Sequence, residues 1–237
     1  MNETTKRMAR LIDLSAVQAT NTEADVRHCA ELASHYHIIS VHVLPCWTRF
    51  LSTLLPEQGR ADVMIGGPVG FPGGGHATDI KVQEVRQLIV DGAREIDMVV
   101  NIGKVLSGDY DYVREDLRRV VEAAAPVPAK VILETHYLNE EQIRKVCDIA
   151  VDVGMAWVKT STGWAPTGAT EEKVAIIADQ LRGRIQIKGA GGIRDLNTVR
   201  VLYRLGVRRF GMSAAATQQV LEQLEQDPSL FPELNDN

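Results

Sequence analysis

The sequence predicts a (β/α)8 barrel, an α/β TIM barrel, on three observations. Short β-branched runs alternate eight times with longer stretches of helical periodicity. The chain has 237 residues, close to the about 250 that such a barrel commonly spends on one domain. Its polar and charged residues also gather at the carboxyl ends of the runs, where this architecture keeps its chemistry.

Taken in order, the expected strands are Leu11–Ser15, Ile39–Val43, Asp62–Gly67, Glu95–Asn101, Lys130–Thr135, Trp157–Ser161, Ile185–Ala190 and Arg208–Ser213. Amphipathic segments at Thr22–Tyr36, Asp79–Asp91, Tyr112–Ala125, Glu140–Val153, Glu171–Leu181 and Leu196–Leu205 are rich in helix formers and can make right-handed crossovers. That alternation calls for a parallel sheet covered on both faces. Eight units in this length favour closure over an open sheet, and no GxGxxG fingerprint follows an early strand, which weakens a dinucleotide-binding reading. Residues 1–237 read as one domain, with an irregular tail after about Gln226 that carries Pro228 and Pro232.

Composition narrows the function. A net charge of −5 and no basic run longer than Arg208-Arg209 exclude a field suited to nucleic acid. The polar stretch Met1 to Leu11 lacks a signal core, and no later stretch approaches the ~20 apolar residues that span a bilayer, so a soluble cytoplasmic protein is expected. Cys29, Cys46 and Cys147 show no CxxC spacing and suggest neither a disulfide framework nor a zinc site.

Side chains alternate along a strand, so Trp157, Lys159 and Ser161 share one face, as do Gln186 and Lys188, while Ile185 and Ile187 face the helices. Two lysines inside a barrel are costly unless paired, and function explains them better than stability. Desolvation, or a neighbouring cation, turns a lysine into a nucleophile toward carbonyls because either favours the neutral amine. Lys188 is the only inward cation that can be placed beside Lys159. Asp97 on strand four, with Asn101, and Glu134 at the end of strand five are candidate ion-pair partners; Asp97 could instead pass protons during imine chemistry. Asp13 and Ser15 end strand one. Gly189 to Gly192 after strand seven and Gly211 to Ser213 after strand eight lead into helices, the recurrent phosphate cradle of these barrels. Gly66 to His76 reads as a long glycine-rich loop after strand three that closes over substrate or serves as a structural turn.

Several blocks then resemble the deoxyribose-phosphate aldolase family, from about Leu11 to Ser213: Leu11-Ile12-Asp13, Gly70-Phe71-Pro72, Asp91 through Gly103, Ser107 through Tyr110, Val158 through Gly163, and Ala190 through Arg194. The resemblance implies reversible cleavage of 2-deoxy-D-ribose 5-phosphate to acetaldehyde and glyceraldehyde 3-phosphate, without a cofactor or metal. It implies Lys159 as the imine-forming lysine, Lys188 as the cation that perturbs it and Asp97 as the proton-relay carboxylate. Asp13, Ser15, Gly163, Gly191, Gly192, Gly211 and Ser213 would bind the substrate. The partners implied are a small-molecule sugar phosphate and an aldehyde, with a homodimer as the assembly this reading allows.

The chain departs from the family pattern. Ile12-Asp13-Leu14-Ser15 stands where the family commonly has Ile-Asp-His-Thr, and His42-Val43-Leu44-Pro45 stands for Cys-Val-Asn-Pro. Trp164 and Ala214 alter the phosphate end, and His42 and His136 are unexpected imidazoles. These changes bear on the substrate, so an imine-forming aldolase for another aldehyde or sugar is the near alternative. A metal-dependent lyase using His42, His76 and His136 is a different class. A barrel that only binds a sugar phosphate is a third.

Overall fold

The computed structural model describes residues 1–57, 59 and 62–234. Its strands are β1 (Ile12–Ala16), β2 (Ser40–Val43), β3 (Met64–Val69), β4 (Glu95–Val99), β5 (Ala129–Ile132), β6 (Trp157–Lys159), β7 (Gln186–Ala190) and β8 (Val207–Met212). Each pairs in parallel with the next, and β8 pairs with β1, closing the barrel. Helices α1 (Glu3–Ala9), α2 (Glu23–Tyr36), α3 (Pro45–Glu57), α4 (Thr78–Val90), α5 (Ile102–Leu106), α6 (Tyr110–Ala124), α7 (Glu140–Asp152), α8 (Glu171–Leu181), α9 (Leu196–Arg204) and α10 (Ala214–Gln226) accompany the strands. No helix among the described residues is long and apolar enough to cross a membrane.

Helix starts follow the side chains that can hold free N–H groups. Thr22 with Asp25 and Asn139 with Gln142 form capping boxes, and Asp109, Thr170, Asp195 and Ser213 accept from the first turns of α6, α8, α9 and α10. The polar amino terminus is helical because Asn2 caps α1 and also donates to Leu224 O at 2.7 Å, tying it to α10. Beyond Gln226 the tail forms two 3-10 turns, and Phe231 is fully buried edge-on against Tyr203.

Several strand ends differ from expectation: β4 and β6 each stop two residues early, and β3 and β5 differ for identifiable reasons. β3 runs on through Pro68 and Val69, past the expected end at Gly67, so the strand reading of Gly66 and Gly67 holds and the glycine-rich loop starts after Val69. A Cβ on Gly66 would stand 2.0 Å from the His42 ring, and one on Gly67 would crowd Leu88 and Ile96, so these glycines serve close approach. β5 stops at Ile132 because Glu134 takes a left-handed conformation (φ 52°, ψ 63°) and turns the chain into a short 3-10 segment, Thr135–Tyr137.

The strands divide two environments. Leu14, Val41, Ile65, Ile96, Met98, Val131, Val158, Ile187 and Phe210 are buried in the apolar layer that includes the surrounding helices. Inside the barrel, where branched apolar residues are the norm, Asp13, Ser40, His42, Glu95, Asp97, Lys130, Lys159, Lys188 and Arg209 meet instead.

Candidate active site

Sheet register brings the charged residues together: Asp97 is level with Lys130 across β4 and β5, Lys159 with Lys188 across β6 and β7, and Lys188 with Arg209 across β7 and β8. Asp97 is the hub. Its Oδ2 receives Lys188 Nζ at 2.8 Å and Lys159 Nζ at 3.1 Å, while Lys130 Nζ lies 3.1 Å from Oδ1. Lys188 also reaches Asp13 Oδ2 at 2.5 Å, and Lys130 lies 2.8 Å from Glu95 Oε1. Arg209 joins Asp13, Glu95 and the Ser40 hydroxyl at the base.

Charge balance identifies the odd member. Three carboxylates, Asp13, Glu95 and Asp97, face four cations, Lys130, Lys159, Lys188 and Arg209, so the set is neutral when one amine gives up its proton. Burial drives the Lys159 amine down, Lys188 and then Lys130 add repulsion, and Asp97 opposes them; the result is a value of about 8. Burial also favours protonation of Asp13 and Asp97, but their cationic neighbours outweigh it and hold both well below the usual carboxylate range. Glu95 is likewise pushed up by burial and brought to about 2, chiefly by Lys130. Lys130 loses by burial and gains more from Asp97, Glu95 and Asp13, so it binds its proton more tightly than an ordinary lysine. Relative to 10.5, a value of about 8 raises the neutral fraction of Lys159 at pH 7 from about 1 in 3,000 to about 1 in 10.

Above this floor opens a cleft of about 280 Å³ at the carboxyl ends of the strands. Lys159 is 7% exposed and lines it; Lys188, level with it in the sheet, is 0% exposed and does not. Ser15, Gly163, Gly191, Gly192, Gly211 and Ser213 also line the cleft, together with His42, Phe71 and Arg194. Loops six and seven pack backbone on backbone: a Cβ on Gly168 would stand 2.3 Å from Gly191 O, and Gly163, Gly191 and Gly192 all take positive φ. Ser213 caps α10 at the cleft wall. Trp164 donates Nε1–H to Val17 O at 2.9 Å and meets Phe71 edge-on at 6.0 Å, tying loops one, three and six at the mouth.

Some expected site residues lie elsewhere. Asp13 is fully buried beneath the cleft and holds Lys188 and Arg209, so it is placed to position cations and not to touch substrate. Glu134 pairs with no lysine among the described residues; it receives the Thr162 N–H and hydroxyl and shapes the loop after β6. Lys188 is not the sole inward cation, because Lys130 and Arg209 share the interior. Their signal was present in strand alternation: Lys130 sits between Ala129 and Val131 and Arg209 between Arg208 and Phe210, each at an inward position. Leu14 lies in the apolar layer and Leu44 is away from the cleft lining, so neither departure changes its wall.

The three histidines do not converge. His42 is in the floor, whereas His76 and His136 are exposed and His136 Nδ1 lies 2.7 Å from Thr167 Oγ1. Among the described residues the one group with metal-ligand spacing is Asp13, His42 and Glu95, and its carboxylates are already partnered by Lys188, Lys130 and Arg209. That donor set is neutralised by ammonium and guanidinium groups and does not suit a cation.

The DeoC/LacD family aldolase model matches residues 9–213. The chain belongs to this aldolase family. A curated deoxyribose-phosphate aldolase of Klebsiella pneumoniae is 84% identical over 235 residues, covering 99% of this chain and 94% of its own. One from Sinorhizobium medicae is 47% identical over 216 residues, covering 91% and 86%. Among solved structures, the aldolase QR15 superposes with a TM-score of 0.86 at 32% identity, covering 98% of this chain and all of its own. A deoxyribose phosphate aldolase from Aeropyrum pernix, described as tetrameric, gives 0.84 at 26%, covering 93% and 92%. The family match ends at Ser213, so it spans the charged interior and the whole cleft lining.

Proposed function

We propose that this chain is a class I aldolase that reversibly cleaves 2-deoxy-D-ribose 5-phosphate to acetaldehyde and D-glyceraldehyde 3-phosphate through an imine on Lys159. The observation that carries the reading is a lysine amine at the cleft floor, lowered to about 8 and 3.1 Å from a fully buried carboxylate. The relatives named deoxyribose-phosphate aldolase supply the substrate.

The neutral Lys159 amine adds to the sugar's C1 carbonyl, and loss of water from the carbinolamine gives the imine. Removal of the C3 hydroxyl proton then breaks the C2–C3 bond, releases glyceraldehyde 3-phosphate and leaves the two-carbon unit as an enamine. Protonation at C2 and hydrolysis release acetaldehyde and restore the amine. Asp97 lies below the cleft and acts through Lys159 and Lys188, which both bond its Oδ2, holding and returning protons without touching the sugar. Asp13 keeps Lys188 in place from beneath.

Borohydride added with acetaldehyde is expected to attach a two-carbon group irreversibly to Lys159. Peptide mass mapping checks this; an adduct on another residue, or none while cleavage continues, overturns the mechanism.

The phosphate is assigned to the backbone of Gly191, Gly192 and Gly211 and to Ser213 at the start of α10, where the helix terminus favours an anion. Unphosphorylated 2-deoxyribose is expected to have a lower kcat/KM. Two lost hydrogen bonds to an ion at about 1.5 kcal/mol each give about 3 kcal/mol, on the order of 100-fold. Equal kcat/KM for the two sugars would retire that phosphate site and favour the alternative of a non-phosphorylated substrate.

A further inference from the structure

Among the described residues, His42 is the one side chain besides Lys159 that lines the cleft and has a polar contact with the charged groups of the buried set. Its Nε2 lies 3.0 Å from Glu95 Oε1, 3.3 Å from Asp13 Oδ2 and 3.4 Å from Lys188 Nζ, and its Nδ1 lies 3.7 Å from Asp97 Oδ2. The ring fits only because Gly66, its register partner on β3, has no side chain: a Cβ there would be 2.0 Å from Cε1. A ring held in this slot and against these four groups has little freedom to turn. Anchored on Glu95, it packs against Asp97 and Lys188, the two groups that flank the Lys159 amine.

Two proton transfers have to occur beside that amine. When the carbinolamine collapses, a proton goes to the departing hydroxyl, which leaves as water while the nitrogen lone pair forms the C=N bond. When the imine becomes the enamine, a proton leaves the donor's methyl carbon, the C–H pair becomes C=C and the C=N pair returns to nitrogen. One proton is given and one recovered, so the step balances without a co-reactant. Asp13, Asp97 and Lys188 are sealed from solvent, and His42 gives this set a route to the cleft that does not pass through Lys159.

Resting on the aldolase reading above, we infer that His42 is a positioning residue for proton transfer, holding Asp97 and Lys188 so that the donor carbon is deprotonated beside Lys159. Carbinolamine dehydration can draw its proton from water in the cleft, whereas C–H deprotonation needs a fixed base, so loss of His42 slows enamine formation far more than imine formation.

Two readouts on the 237-residue chain separate those steps. Borohydride trapping of acetaldehyde on Lys159 reports the imine, and deuterium uptake into the acetaldehyde methyl group in D2O reports the enamine. His42→Gln places an amide near the Nε2 position that faces Glu95, and His42→Asn places one near the Nδ1 position that faces Asp97; both remove the imidazole. Deuterium uptake is expected to fall on the order of 100-fold in these variants while trapping stays near the parental rate. Gly66→Ala, which displaces the ring without altering its chemistry, is expected to show the same split and serves if the His42 variants do not fold. Uptake and trapping falling together in a folded variant, or uptake staying at the parental level, overturns the inference. Failure of trapping in the parent chain overturns the aldolase reading itself.

Discussion

Lys159→Met is expected to reduce deoxyribose 5-phosphate cleavage by on the order of 10⁶-fold, the scale seen when an activated nucleophile is removed, or about 8 kcal/mol in the barrier. The covalent route needs an amine that can add to a carbonyl at neutral pH. Lys159 is the lysine that meets the cleft, and Lys188, although level with it in the sheet, is fully buried. Lys188 therefore does not take over. The variant is expected to fold, because Asp97 keeps Lys188 at 2.8 Å and Lys130 at 3.1 Å and no carboxylate loses its last partner. Steady-state kinetics and a thermal melt check both halves. Activity within tenfold of the parent in a folded Lys159→Met chain would remove Lys159 from the chemistry, and imine trapping on Lys188 in that variant would reverse the two roles.

Lys188→Met is expected to cost activity in a pH-dependent way. Both ammoniums lie within 3.1 Å of the same Asp97 oxygen, so they are no more than about 6 Å apart. At an effective dielectric near 20 that separation corresponds to about 2.8 kcal/mol, roughly two pKa units. Burial is the larger cause of the depressed Lys159 value and survives the substitution, so the shift upward is expected to be partial, about one to two units. Charge balance gives the same sign. With Lys188 gone, three carboxylates face Lys130, Arg209 and Lys159, and neutrality now requires Lys159 to keep its proton.

In the proposed mechanism the reactive form is the neutral amine, so kcat/KM is expected to rise as pH increases through the Lys159 value. In the parent that limb is centred near 8; in Lys188→Met it moves to higher pH, and activity lost at pH 7 is partly regained on the alkaline side. Recovery is expected to be incomplete, because in the proposed mechanism Lys188 also carries protons. A limb unmoved from the parental position would mean that burial alone sets the Lys159 value. The substitution also takes from Asp13 the ammonium 2.5 Å from its Oδ2, so a loss of about 3 kcal/mol in stability is expected, read from denaturant unfolding.

Much of this protein was legible in its sequence because the signals are local. Period-two alternation in Trp157-Val158-Lys159 and Gln186-Ile187-Lys188 turns both lysines inward whatever the rest of the chain does. The alternation of β-branched runs with helix formers likewise depends on neighbours only a few positions away. Glycine was the ambiguous local signal. Gly66 and Gly67 suit a turn as well as a crowded strand, and only the His42 ring across the sheet shows which applies.

Tertiary structure decided partners and depth. Closure of the barrel brings Asp13 on β1, Asp97 on β4, Lys130 on β5 and Arg209 on β8 into one buried set, across separations of up to 196 residues. Because Coulomb interaction depends on distance in space and on desolvation, no local pattern could reveal that Asp13 would hold a lysine beneath the cleft or that three carboxylates would face four cations. The same holds for the difference between the two lysines. Alternation makes both inward, but exposure to the cleft is set by what surrounds each Nζ in the closed barrel, which leaves Lys159 at the surface of the floor and seals Lys188 below it.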